Sequence, residues 1–192
     1  MKITIKTSAD YKTTEWSGGK TTELFIYPPD GDYAARRFDA RISSATVELE
    51  HSVFTSLPGV QRKLMLLEGE MQLIHKGHRE RKMQPFVDID EFSGDWETES
   101  FGKVRDFNLM TRNGVRGRLS FVEAASETEL LMPEMTGKEI IVIYVAGGSG
   151  KINDHALGET ELMVIEDYAG ETLAVRPAPG AAMKLAVSHL AL

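Results

Sequence analysis

The shortness of its apolar segments limits most strongly what this chain can fold into. Runs with alternating or β-branched character are separated by Gly, Pro, Asn and Asp, and residues 3–6, 23–27, 38–47, 63–67, 71–75, 86–89, 104–110 and 117–122 read as strands. After Ser126 the pattern changes. Ser126-Glu127-Thr128-Glu129 has the shape of a capping box, but Pro133 stops any helix soon afterwards, so a connector with at most a short helix is expected there. Strands resume at 140–145, 162–165, 172–175 and 183–188. The expected class is all-β.

A faint internal repeat sharpens that expectation. Residues 64–97 and 141–173 follow one plan: an apolar strand, a Gly, a polar hairpin, an apolar strand and a Gly-acidic turn. Setting 86–89 over 162–165 also sets Gly94 over Gly170 and brings Gly69 nearly into register with Gly147. Two related barrels are expected, residues 1–125 and 126–192. The second copy is too short to close alone, so N-terminal strands are expected to help complete it and to make the halves one folding unit.

Composition narrows the function classes. The absence of cysteine excludes disulfides and suits a reducing compartment. MKITIKTSAD carries no apolar run of signal-peptide length, and no later segment has the length of a membrane span. A net charge of −7 without a long basic cluster repels a nucleic-acid backbone. A cytoplasmic protein without nucleic-acid or membrane partners is expected, and exposed sheet edges favour a homodimer.

Few residues carry recognisable chemistry. His75 and His78 flank Lys76-Gly77, a hairpin tip expected to send both imidazoles away from a barrel interior, so neither a metal nor any other cofactor is expected. His51, His155 and His189 read as surface or core fillers. Neither a G-x-S-x-G elbow nor a cysteine nucleophile is present. The glycines of Trp16-Ser17-Gly18-Gly19-Lys20-Thr21-Thr22 lack the spacing of a phosphate loop and read as a bulge or turn. Trp96 reads as a packing residue at a rim, whereas Trp16, beside the glycines, offers a flat wall for a pocket.

The stretch 104–112, VRDFNLMTR, poses a question of sidedness. As a strand it puts Asp106, Asn108 and Met110 on one face and Arg105, Phe107 and Leu109 on the other, so either face carries a charge inward. Arg41, Ser43, Ala45 and Val47 likewise share a face. With Arg62, these polar residues favour a barrel that keeps room for a small ligand. A guanidinium of Arg62 or Arg41 suits a carboxylate, Asn108 supplies an amide contact, and Asp106 orients an arginine or accepts an imidazole N–H. The competing reading leaves Arg62, Arg41 or Arg105 paired with Asp106, Asp39 or Glu68, stiffening the barrel.

Several blocks carry a family likeness: Trp16-Ser17-Gly18-Gly19 with Thr22-Glu23, Arg41 through Val47, Phe54 through Pro58-Gly59, Arg62 to Leu64, Leu66-Leu67-Glu68-Gly69, and Val104 through Arg112. In this order they resemble the HutD/Ves family of bicupin-like bacterial proteins; the last third matches only in its cupin-like pattern. Many relatives carry Trp followed by Asn and three glycines, where this chain is shorter and has Ser17 and Lys20. The resemblance implies a cupin-like double barrel of the RmlC-like jelly-roll type. It also implies a non-enzymatic regulatory role in histidine utilisation, with a carboxylated intermediate of the urocanate or N-formylglutamate class bound in the barrel by Arg62. Two rivals stand beside it: a metal-free cupin isomerase or lyase using Asp106 or Glu68 as general base beside Arg62, and an interaction module with a filled barrel. Protein purified without added metal is expected to show no stoichiometric Zn, Fe or Mn by elemental analysis.

Overall fold

The computed structural model describes all 192 residues. Strand β1 (Lys2–Lys6) precedes a single 3-10 turn at Ser8–Asp10. There follow β2 (Lys12–Trp16), β3 (Gly19–Tyr27), β4 (Ala40–Val47), β5 (His51–Val53), β6 (Gln61–Glu68), β7 (Met71–His75), β8 (Arg79–Met83), β9 (Ile89–Ser93), β10 (Thr98–Phe101) and β11 (Val104–Thr111). The chain continues through β12 (Arg116–Ala124), β13 (Thr128–Leu130), β14 (Glu139–Gly147), β15 (Gly150–Ile152), β16 (His155–Leu157), β17 (Leu162–Glu166), β18 (Leu173–Pro177) and β19 (Met183–Ala191). Contacts divide it into a unit of Tyr11–Val115 and a unit of Met1–Asp10 with Arg116–Leu192. The division falls after Val115 rather than after residue 125, because β12 pairs along its whole length with β19.

The Tyr11–Val115 unit has two antiparallel sheets, ordered β2-β3-β4-β11-β6-β9 and β5-β10-β7-β8. In the other unit the orders are β12-β19-β14-β17-β1 and β13-β18-β15-β16. The shared plan is now visible strand by strand: β4, β11, β6 and β9 correspond to β12, β19, β14 and β17, and β5, β10, β7 and β8 to β13, β18, β15 and β16. One unit extends its larger sheet with the β2–β3 hairpin, and the other with β1, which pairs with β17 from Lys2↔Glu166 to Lys6↔Leu162.

Local chemistry explains where the strands differ from expectation. Phe86 has a left-handed φ of 60° in a turn, so β9 starts at Ile89 and the repeat shifts by three residues from the register suggested by Gly94 and Gly170. The capping-box segment forms no helix; Thr128–Leu130 instead pairs with β18, a tertiary ladder that outweighs a local cap. The Trp16–Gly19 block is a hairpin turn. A side chain at Gly18 would lie 2.1 Å from the Trp16 ring, and one at Gly19, where φ is +145°, would lie 1.9 Å from the Thr46 carbonyl oxygen.

The interiors of the two units differ. In the second, Ile141, Ile143 and Val145 of β14 meet Met163 and Ile165 of β17, Leu185 and Val187 of β19 and residues of the smaller sheet in one apolar cluster that also takes in Ile3 and Ile5. In the first, hydrocarbon is divided. Val47, Leu64, Leu66, Met71, Leu73, Met83, Phe92 and Val104 form one cluster, and Phe38, Leu57, Val60 and Met110 form another. Truncating Ile143 to Ala is expected to cost about 3 kcal/mol of unfolding free energy in a urea titration, because its fully buried site has little freedom to collapse.

Candidate ligand-binding site

Three neighbouring strands of the first unit carry polar side chains among the apolar ones on their inward faces. On β4 the alternation runs from Val47 through Ala45 and Ser43 to Arg41; on β11 from Val104 through Asp106 and Asn108 to Met110; on β6 from Leu66 through Leu64 to Arg62. Register aligns these changes: Asn108 lies opposite Ser43 and Leu64, and Met110 opposite Arg41 and Arg62. They border a cavity of about 300 Å³, to which Tyr33, Phe54 and Trp16 also contribute. All six residues singled out in the sequence, Arg62, Arg41, Ser43, Asp106, Asn108 and Trp16, line this cavity.

Alternation along β11 resolves the question of sidedness. Asp106 keeps the parity of Val104, Asn108 and Met110, the register with β4 runs unshifted from Val104↔Val47 to Thr111↔Ala40, and the residue left over where β11 meets β6 is Leu67 of β6. Asp106 turns inward and is buried, while Arg105 pairs on the other side with Glu68 at 3.0 Å. The Asp106 carboxylate then replaces a ladder acceptor: the Ala45 N–H donates to its Oδ1 at 3.0 Å, and the Ser44 hydroxyl donates to its backbone carbonyl at 2.6 Å. Burial pushes the Asp106 carboxyl up to about 6, against the opposing pull of the Ala45 N–H and of Arg62 and Arg41.

The two arginines have different fates. Arg41 is committed within the protein: its Nε donates to Glu23 Oε2 at 2.7 Å, its Nη1 donates to Ser43 Oγ at 3.1 Å, and its guanidinium lies 4.0 Å from the Tyr33 ring centre. Arg62, only 7% exposed, has no ion-pair partner, and its Nε has no hydrogen-bond acceptor. Its guanidinium lies instead 4.8 Å from the ring centre of Phe54 and 5.2 Å from that of Phe92. Burial lowers it to about 10, so it remains a cation at neutral pH, helped by the field of Asp106. Asn108 Oδ1 is a second buried polar atom without a partner. Trp16, which also lines the cavity, is 40% exposed.

Three features escaped the sequence reading. Tyr33 and Phe54 lie in irregular segments and carry no periodic signal. Glu23, the partner of Arg41, lies in a β3 segment whose register with β4 shifts between Glu23 and Phe25. The expectation for His75 needs correction: although Lys76-Gly77 does form a hairpin tip, His75 is fully buried, with Nε2 2.6 Å from Asp90 Oδ2 and Nδ1 2.8 Å from Thr98 Oγ1. As the last residue of β7 it retains the inward parity of Met71 and Leu73. His78, one step beyond the tip, is exposed and stacks on Trp96 at 4.0 Å.

No three His, Asp or Glu side chains converge as a metal would require. Two guanidinium groups beside a single carboxylate are also a poor donor set for a divalent cation, so the cavity does not fit one.

The backbone is similar to that of HutD from Pseudomonas fluorescens SBW25, with 22% identity over 99% of this chain and 98% of that one and a TM-score of 0.79. It is also similar to a conserved protein of unknown function from Pseudomonas aeruginosa PAO1, with 21% identity, complete coverage of both chains (100% and 100%) and a TM-score of 0.83. A more distant likeness, 8% identity over 98% of each chain with a TM-score of 0.69, links it to the bacterial pirin YhhW from Escherichia coli, solved with nickel(II). A search of curated proteins finds no match to the sequence. These likenesses make the fold an all-β bicupin. The HutD family model matches residues 8–183, and the chain belongs to the HutD family.

Proposed function

We propose that the protein is a cytoplasmic, non-enzymatic regulator that binds a small carboxylate of histidine degradation, of the urocanate or N-formylglutamate class, in the cavity of its first barrel. The observation that carries this reading is Arg62: a buried cation whose Nε has no acceptor, lining a cavity of about 300 Å³. A guanidinium offers a planar fork of N–H donors, and a bound carboxylate would complete it bidentately. Asn108 Oδ1 adds a second requirement, since a buried acceptor without a donor is matched by a ligand N–H. A ligand with both a carboxylate and an N–H satisfies both atoms, as an imidazole acrylate or a formylated amino acid does.

Arg41 and Glu23 neutralise each other, so the remaining charges at the cavity are Arg62 and Asp106, each acting on the other through its field. Asp106 also supports the rival reading, because a carboxyl near 6 beside a guanidinium is suited to general-base chemistry. Turnover separates the two: pure protein that consumes urocanate or N-formylglutamate acts as an enzyme.

Two outcomes are expected. Arg62→Ala abolishes calorimetric binding of the carboxylate and leaves a cooperative melting transition; retained binding would refute the role of Arg62. The second concerns Asp106, whose folded value near 6 exceeds its free value of 3.8. The folded protein holds this proton where the unfolded chain has lost it, so the resulting stabilisation is complete below about pH 4 and disappears as pH rises through about 6. Between pH 4.5 and 7.5 the wild-type melting temperature should therefore fall relative to that of Asp106→Asn; parallel curves would show that burial leaves this carboxyl unshifted.

A further inference from the structure

A second buried polar group, outside the cavity lining, is connected to it. His75 of β7, Asp90 of β9 and Thr98 of β10 are each almost wholly buried. His75 bridges the other two through its two ring nitrogens, at 2.6 Å from Asp90 and 2.8 Å from Thr98. The Thr98 hydroxyl also donates to the Trp96 carbonyl at 3.2 Å, and Arg79 donates to the other oxygen of Asp90. Every side-chain polar atom of this group has a protein partner.

Its position assigns it a task. The His75 ring lies 4.6 Å from the ring of Phe92, which stands opposite Arg62 in the β6–β9 register. The Thr98 carbonyl accepts the Phe54 N–H at 2.9 Å, fixing the backbone that carries the other ring over Arg62. The two phenyl rings lie 6.1 Å apart and both approach the Arg62 guanidinium. Arg62 lacks the carboxylate that usually orients a buried guanidinium, so these rings are its main directional contacts. The His75 cluster holds one ring by contact and the other through the backbone.

We propose that His75, Asp90 and Thr98 are positioning residues for Arg62: they fix the Phe54–Phe92 clamp, which holds the guanidinium with its donors free for a carboxylate. The inference rests on the reading of Arg62 as the carboxylate-binding cation. It requires that disturbing Thr98, which is absent from the cavity lining, alters the Arg62 guanidinium even in ligand-free protein.

The test uses the full chain labelled with ¹⁵N-arginine, with the Arg62 Nε–H resonance identified by its loss in Arg62→Lys. Thr98→Val preserves the branched shape and removes the hydroxyl. It should reduce the ring-current shift of that resonance, speed its solvent exchange roughly tenfold and weaken urocanate binding roughly tenfold, the scale on which outer partners tune a ligating group. Thr98→Ser restores the hydroxyl and should restore all three readouts, which general loosening of the fold would not do. Should Thr98→Val fail to fold, Asp90→Asn reads the same resonance. An Arg62 signal unchanged in these variants, or altered without rescue by serine, overturns the proposal. Failure of wild-type protein to bind urocanate, or N-formylglutamate in its place, would count against the function proposed above, and the Arg62 resonance would then decide the clamp by itself.

Discussion

A guanidinium buried without a carboxylate sets the terms for the first barrel. Removing a cation from water is costly unless other groups replace the lost hydration. Here the replacement is partial: two aromatic faces and the field of Asp106, with burial still drawing Arg62 down to about 10. Cation–π contacts in desolvated settings contribute on the order of 2 kcal/mol, less than a buried carboxylate supplies. The barrel therefore keeps a buried guanidinium with unmet hydrogen-bonding capacity beside a hollow of about 300 Å³.

The second barrel shows what the same strand plan becomes without this constraint. Its matching strands turn Ile, Val, Leu and Met inward and leave one continuous apolar cluster. In the first, the polar run on β4, β11 and β6 interrupts the hydrocarbon, and two smaller clusters result. Asp106 shows how the backbone accommodates this. Between the Arg105↔Thr46 and Asn108↔Ser43 pairs of β11 and β4, its side chain takes the Ala45 N–H, so a group bordering the cavity also closes the sheet. The cavity wall and the sheet share one carboxylate.

Much of the architecture was legible because alternation and turn residues are local signals. Strands such as Met71–His75 and Val104–Thr111 announced themselves by period two, and alternation also put Arg41 with Ser43 and Asp106 with Asn108. The hidden part was relational. Periodicity shows that Arg62 faces inward with Leu64, but says nothing of the partners of its guanidinium, because Phe54 comes from an irregular segment and Phe92 from a strand whose start depends on the turn at Phe86. His75 was misjudged because a Lys-Gly tip suggested solvent, whereas parity within β7 pointed inward; for the last residue of a strand, parity outweighed proximity to the turn. The β13 segment failed for the opposite reason, a local capping pattern being overridden by pairing with β18.

The pairing of β1 with β17 makes one unit interrupt the other: the first strand of the chain and its partner are separated by all of Tyr11–Val115 and then by β12 through β16. During synthesis Lys6 emerges early but meets Leu162 only after nearly everything between them has been made. A barrel assembled from such distant stretches has contacts of high sequence separation, while the one with the cavity is drawn from a continuous stretch. A nascent chain of this kind has every strand around that cavity in hand before its other half has a complete edge.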